Sequence, residues 1–213
     1  EITCRDWSSD VCSSDLAECP DMYQMAVDSN ENNKKWVLED GGGNYVVCEF
    51  DGEKFNPISN GGNPWIKNNW GASYYATQTF HNAPDGRIIQ LGWMNFDKAL
   101  LPNSYPGMPF NQQMSVPRDL TLQSTPAGLR IYRNPIPELE RLRVPQYSID
   151  QKTLAGGTQH TQGLEGTLLD INLTVEPGTA QKVLFYIRGQ LIEYDNAAKL
   201  LRGFTRNIPV LPI

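Results

Sequence analysis

Residues 34–50 read KKWVLEDGGGNYVVCEF, and that stretch decides the class of fold. Lys34–Glu39 and Tyr45–Phe50 are short runs rich in Val, Trp and Tyr, and they flank Asp40-Gly-Gly-Gly-Asn44. Branched and aromatic side chains suit a pleated surface, and a Gly/Asp/Asn cluster lets the backbone reverse, so the stretch predicts a β-hairpin. Outward from it the pattern repeats. Asp51-Gly52 marks the next turn. Ser73–Phe80 (SYYATQTF) and Ile88–Met94 (IIQLGWM) flank HNAPDGR, and Met114–Gln123 (MSVPRDLTLQ) and Leu129–Asn134 (LRIYRN) flank STPAG. Successive hairpins at short spacing predict an all-β fold of the sandwich, barrel or propeller kind.

The pattern changes further along. Pro135–Arg143 (PIPELERLR) predicts a short helical turn. Gln146–Gly163 is polar and rich in Gly, Gln and Thr, which predicts a domain junction. Leu168–Val175 (LLDINLTV) and Lys182–Ile187 alternate apolar and polar residues, and Gln190–Leu201 reads as strand, turn at Asp195-Asn196, strand. These predict the start of a β-sandwich, which stops at Leu211-Pro-Ile213 after a few strands and is therefore truncated.

Composition limits the function. At 213 residues the chain is one domain or parts of two, and 39% apolar with 10% aromatic residues is enough to build a core. No apolar run approaches the roughly 20 residues of a membrane helix, and no signal peptide is visible. The net charge is −6, and half of it comes from Glu1, Asp6, Asp10 and Asp15 against Arg5 in the first sixteen residues. This is no surface for nucleic acid. Two of the four cysteines, Cys4 and Cys12, lie in that same opening, so no disulfide framework is implied. The opening, EITCRDWSSDVCSSDL, has no hydrophobic period and repeats Ser-Ser-Asp. Its cysteine spacing fits no zinc pattern. It resembles the in-frame translation of a common short-read sequencing adapter, so residues 1–16 read as a non-native leader and carry no fold or function argument.

Among residues that carry chemistry, Glu18 in AECPDMYQM comes first. An acid held among apolar Met22, Tyr23 and Met25 would keep its proton to higher pH and act as a general acid; a solvated Glu before the Cys19-Pro20 turn is the plain alternative. Trp70 and Trp93 are either strand packing or faces on which a sugar ring stacks. His81 and His160 fall in turns and read as solvated, and Cys48 reads as a small core residue.

Several stretches taken together resemble glycoside hydrolase family 32, the β-fructofuranosidases, levanases, inulinases and invertases. Glu18-Cys19-Pro20 matches that family's Glu-Cys motif. KKWVLEDGGGNYVVCEFDGEKFNP matches the hairpin that follows it. NNWGASYYATQTFHNAPDGRIIQLGWM matches its Tyr-Ala-x-x-Thr-Phe strand and the Gly-Trp strand after it, and PGMPFNQQMSVPRDLTL matches its Pro-Arg-x-Leu strand. The resemblance runs from Ala17 to Ile213 and leans toward the bacterial levanase-like group.

The resemblance implies a five-bladed β-propeller followed by a β-sandwich. It places the C-terminal part of the propeller at 17–145, the junction at 146–163 and the first part of the sandwich at 164–213. It implies a retaining hydrolase that cleaves β-D-fructofuranosyl linkages in fructans or sucrose without cofactor or metal. Glu18 takes the acid/base role, with Cys19 beside it. Trp70, Trp93 and Asn69 line the sugar pocket, and the family often has Asp where Asn69 stands. Arg118 is a further candidate, for a blade ion pair or for substrate. The nucleophilic Asp and the Asp of an Arg-Asp-Pro motif are missing from this chain; Arg5-Asp6-Trp7 mimics the latter but lacks its Pro and lies in the leader. The expected partner is a fructan or sucrose-type carbohydrate, with neither nucleic acid nor membrane. A polymeric substrate favours a secreted or periplasmic protein, and the chain alone is expected to be inactive. Two alternatives remain: a noncatalytic carbohydrate-binding β-protein, and a fructosyltransferase on the same fold.

Overall fold

The computed structural model describes residues 18–58, 63–71, 73–95, 112–144, 148, 150–151, 153–157, 166, 168–203 and 206–210. The leader and His160 lie outside them. The chain divides into two compact units, with the boundary between Ile136 and Pro137.

The first unit contains two antiparallel meanders. One runs β1 (Asp21–Val27), β2 (Asn30–Glu39), β3 (Tyr45–Phe50) and β4 (Phe55–Pro57), each strand pairing with the next. The other runs β5 (Tyr75–Phe80), β6 (Ile88–Met94), β8 (Arg118–Thr125) and β9 (Gly128–Pro135), with the short β7 (Gln113–Met114) paired to the far end of β6. These are two four-stranded blades. One parallel pairing, Val27 with Leu122, links them.

Alternation explains the packing. Tyr23, Met25, Val27, Val37, Tyr45 and Val47 turn to one face and meet Leu120, Leu122 and Ile131 of the second blade. Leu38, Val46, Cys48 and Phe55 turn to the other face and form a second cluster with Trp36 and Trp65. A strand buried on both faces reads as a continuous apolar run, hence Val46-Val47-Cys48. Each fully buried aliphatic side chain contributes about 1.5–3 kcal/mol. Polar clasps add to the joint between blades. The Tyr45 hydroxyl accepts the Ile131 N–H at 2.9 Å. Asp28 donates its N–H to the Leu122 carbonyl at 2.9 Å, and its carboxylate accepts the N–H and hydroxyl of Ser124 at 2.8 and 2.7 Å.

The three expected hairpins are present, with one correction. The run Met114–Gln123 is broken, because β7 ends at Met114 and β8 begins at Arg118. Pro117 has no N–H to give a ladder, so the strand restarts after it. The expected helical turn is a 3-10 segment, Pro137–Leu142.

The second unit carries its own antiparallel meander, β10 (Lys182–Ile187), β11 (Gln190–Asp195), β12 (Leu200–Gly203) and β13 (Arg206–Pro209). Leu184, Tyr186 and Leu191 lie exposed on it. The strand expected at Leu168–Val175 does not form, and Leu168 is 94% exposed. Alternation creates a strand only where a neighbouring ladder accepts it.

Candidate active site

Glu18 sits just before β1, where the chain enters the first blade, and its side chain is exposed. Two neighbouring elements hold it. The loop between β2 and β3 approaches from one side, and the Gly41 N–H donates to the Glu18 carbonyl at 2.9 Å. A Cβ on Gly41 would lie 2.8 Å from that carbonyl oxygen, so only glycine allows this approach. Asp40 shapes the loop. Its Oδ1 accepts the N–H groups of Gly42 and Asn44 at 2.8 and 2.9 Å.

From the other side comes β5. The Tyr75 hydroxyl donates to Glu18 Oε2. The Gln78 side-chain amide donates to the Cys19 carbonyl at 3.3 Å, and the Thr79 N–H donates to Asp21 Oδ2 at 2.7 Å. Cys19 bends the chain through φ 49°. Its thiol is free and exposed. The bond to a carboxylate makes the Tyr75 phenol hold its proton, which pushes its pKa up to about 12. The apolar residues expected to enclose Glu18 (Met22, Tyr23 and Met25) pack into the core clusters instead. The neighbour of the carboxyl is a phenol.

Behind this segment lies a buried polar network. Glu39 is fully buried, and its carboxylate accepts four bonds: from the Tyr23 hydroxyl at 2.6 Å, Thr77 Oγ1 at 2.9 Å, Gln90 Nε2 at 2.8 Å and Arg133 Nη2 at 2.9 Å. Gln90 in turn accepts from Arg133 Nε at 2.8 Å and from the Tyr74 hydroxyl at 2.9 Å. Burial, and then the Glu39 charge, push the Tyr23 phenol well above its ordinary range. The opposite charges and the bonds through Arg133 Nε and Nη2 offset the cost of burying the pair, while the buried Arg133 Nη1 has no hydrogen-bond partner among the described residues.

The structure divides the expected site residues into two groups. Trp93 lies directly opposite Tyr75 across β5 and β6, and Met114 lies opposite Trp93 on β7, so the three share a face beside Glu18. Trp93 is 37% exposed, and its indole N–H donates to Gln112 Oε1 at 2.6 Å. Asn69, Trp70 and Arg118 instead gather with Tyr74 and Ser115 around a separate cleft of about 360 Å³. Tyr74 faces Gly92, where a Cβ would fall 2.3 Å from its ring, so this cleft opens on the side away from Trp93. Asn69 is occupied in shaping its own loop. It donates to the Tyr74 carbonyl at 2.9 Å and accepts the Gly71 N–H at 3.0 Å. Lys67 Nζ lies 4.4 Å from the centroid of the Trp70 ring, and the Arg118 guanidinium lies 4.4 Å from that of Tyr74. Cys48 is a buried core residue and His81 is exposed after β5. Among the described residues no group of three His, Cys, Asp or Glu side chains could hold a metal ion, and no helix is long and apolar enough to cross a membrane.

Sequence reasoning missed Tyr75, Glu39 and Arg133. Two of them carried a signal. Glu39 shares the parity of Val37, and Arg133 that of Leu129 and Ile131, so strand period alone turns both charges inward. Tyr75 opens the Tyr-Ala-x-x-Thr-Phe motif, but the motif does not reveal its partner, which lies 57 residues away.

The chain is similar to proteins of known kind. The chain is 32% identical over 187 residues to a levanase of Bacillus subtilis, an overlap of 80% of this chain and 27% of that protein. It is 33% identical to a levanase of a Bacillus species, strain L7, over 70% of this chain and 17% of the other. The chain thus spans about a quarter or less of the length of these relatives. Its backbone superposes on the exo-inulinase of Aspergillus awamori with a TM-score of 0.65 at 22% identity, covering 92% of this chain and 45% of that one. Residues 7–135 match the glycosyl hydrolases family 32 N-terminal domain, a span that takes in both blades and begins inside the leader. With more than half of its length in that match, and with two blades and a Glu-Cys-Pro entry to the first, the chain belongs to glycosyl hydrolase family 32.

Proposed function

We propose that the complete protein is a retaining glycoside hydrolase acting on β-D-fructofuranosyl linkages of levan-type fructans or sucrose, and that Glu18 is its acid/base. The observation that carries this reading is the presentation of Glu18. Its backbone is clamped by Gly41 and its carboxyl is held on one oxygen by Tyr75, on a face that also bears Trp93. The levanases among its relatives supply the substrate class.

Retaining hydrolysis needs two carboxyl groups roughly 5–5.5 Å apart. One protonates the leaving oxygen and later takes a proton from water; the other attacks the anomeric carbon. Asp21 and Asp40 stand near Glu18, but both are engaged in shaping backbone: Asp21 accepts the N–H groups of Met22 and Thr79, and Asp40 those of Gly42 and Asn44. In keeping with the family resemblance, which implies that the nucleophilic Asp is missing from this chain, we assign the nucleophile to a part of the complete protein outside the described residues. Trp93 offers the sugar an apolar face, with Met114 extending the row. Asn69, Trp70 and Arg118 are assigned to a second contact region, where the cleft would meet a more distant part of the substrate. The four-stranded sheet of the second unit is assigned as one layer of a β-sandwich, which its exposed apolar row supports.

The test is Glu18→Gln in the complete protein, which keeps shape and removes the proton donor. Fructose release from levan and sucrose should fall about 10²–10⁴-fold. A variant that retained full activity on both would rule the assignment out.

A further inference from the structure

The contact between Tyr75 and Glu18 depends on an irregularity in β5. Tyr75 pairs with Trp93 while Gln78 pairs with Leu91, so β5 carries one more residue than β6 over this interval. Ala76 takes the extra turn with φ 49°. In a regular strand Tyr75 and Thr77 would point to the same face. The bulge separates them. Thr77 turns inward to Glu39, and Tyr75 reaches the carboxyl of Glu18. Further along the same strand, Gln78 and Thr79 hold the Cys19 carbonyl and the Asp21 carboxylate. One strand thus grips the Glu18–Asp21 segment at three points, and one of the three falls on the functional carboxyl itself.

We infer that Tyr75 is the positioning residue of the acid/base, an inference that rests on the role proposed for Glu18. The phenol donates to Oε2 and fixes the carboxyl plane, which leaves Oε1 to exchange the proton. In the first half-reaction the proton passes from Oε1 to the glycosidic oxygen as its bond to the anomeric carbon breaks and the nucleophilic carboxylate bonds to that carbon. In the second it returns to Oε1 from water, as the water oxygen displaces that carboxylate. Tyr75 keeps its own proton throughout, consistent with a pKa pushed up to about 12.

The experiment uses the complete enzyme and four forms: wild type, Tyr75→Phe, Glu18→Ala and the double variant. A misplaced catalytic group can cost about 10²-fold, so Tyr75→Phe should lower kcat on sucrose about 10- to 100-fold with KM within about twofold. The loss should shrink on p-nitrophenyl β-D-fructofuranoside, whose leaving group needs little protonation. In the Glu18→Ala background, Tyr75→Phe should cost nothing further, because residues acting as a unit are not additive. The hydroxyl lies at the surface, so the melting temperature should hold. Equal losses in both backgrounds, or equal losses on both substrates, would mean that Tyr75 only supports the fold, and would overturn the inference. Full activity of Glu18→Ala on sucrose would overturn the acid/base reading itself. Strong dependence on Glu18 with an unaffected Tyr75→Phe would leave that reading standing and sink this one.

Discussion

Glu39 is a charge with no exposure, and it holds the first blade to the second through Arg133, whose side chain is 6% exposed. Replacing such a pair by apolar groups can be neutral, but removing one member strands the other. Glu39→Gln keeps size and some hydrogen bonds while leaving the guanidinium uncompensated in the core. Chemical unfolding of the complete protein should show a loss of about 3–5 kcal/mol, and a loss under about 1 kcal/mol would mean that the pair is not what closes this joint. Nothing so buried surrounds Glu18. The contrast separates two acids that the sequence presents alike, each next to apolar neighbours. Glu18 ends before β1 begins and stays in solvent, whereas Glu39 occupies an inward position of β2. Motif resemblance pointed to the first. Only strand parity, applied residue by residue, points to the second.

The turn between β1 and β2 ends in a joint as well as a reversal. Asp28 has φ 51° and receives both donors of Ser124, whose hydroxyl and then N–H hold its carboxyl below the usual carboxylate range. A depressed folded-state pKa contributes stability that is present above the unfolded value of about 4 and is lost as pH falls through the folded one. Asp28→Asn tolerates the same backbone and has no charge to lose. The melting temperature of the wild type should therefore exceed that of Asp28→Asn near pH 6, with the gap closing below about pH 4. A gap that widened on acidification would refute the linkage. At this scale the sequence was legible where turns are chemically marked. Asp40–Asn44 and Ala83–Gly86 announce their hairpins through Gly, Asp and Pro. β1, to which the sequence analysis assigns no strand, does show the period of one in Tyr23, Met25 and Val27. The three- and four-residue strands β4 and β13 are too short to show a period. Leu168–Val175 shows one without a strand. Pairing supplies what alternation alone does not.

On the scale of the whole chain, the polar stretch Gln146–Gly163 suggested where one region gives way to another, but the first compact unit closes earlier, after Ile136. Pro135 and Pro137 lack the N–H that would carry β9 onward, so the last blade ends at prolines rather than at a change of composition. Joints between blades form only after folding and join residues far apart in sequence, so they were the least legible part of the molecule. One of them gives a way to time the protein. Among the described residues β9 pairs only with β8, so every second amide along it points away from the ladder. The Ile131 amide is one that water does not reach, and what covers it is the hydroxyl of Tyr45 on the other blade, 86 positions earlier. In deuterated solvent its proton can leave only when the blades part. Ile131 should therefore exchange far more slowly than other outward amides of β9, and Tyr45→Phe should bring it to their rate while barely changing amides inside the β2–β3 ladder. Read by mass spectrometry or NMR, that single amide is a clock for blade separation. An Ile131 amide that exchanged as fast as its exposed neighbours in the wild type would show that the blades part far more readily than their packing implies.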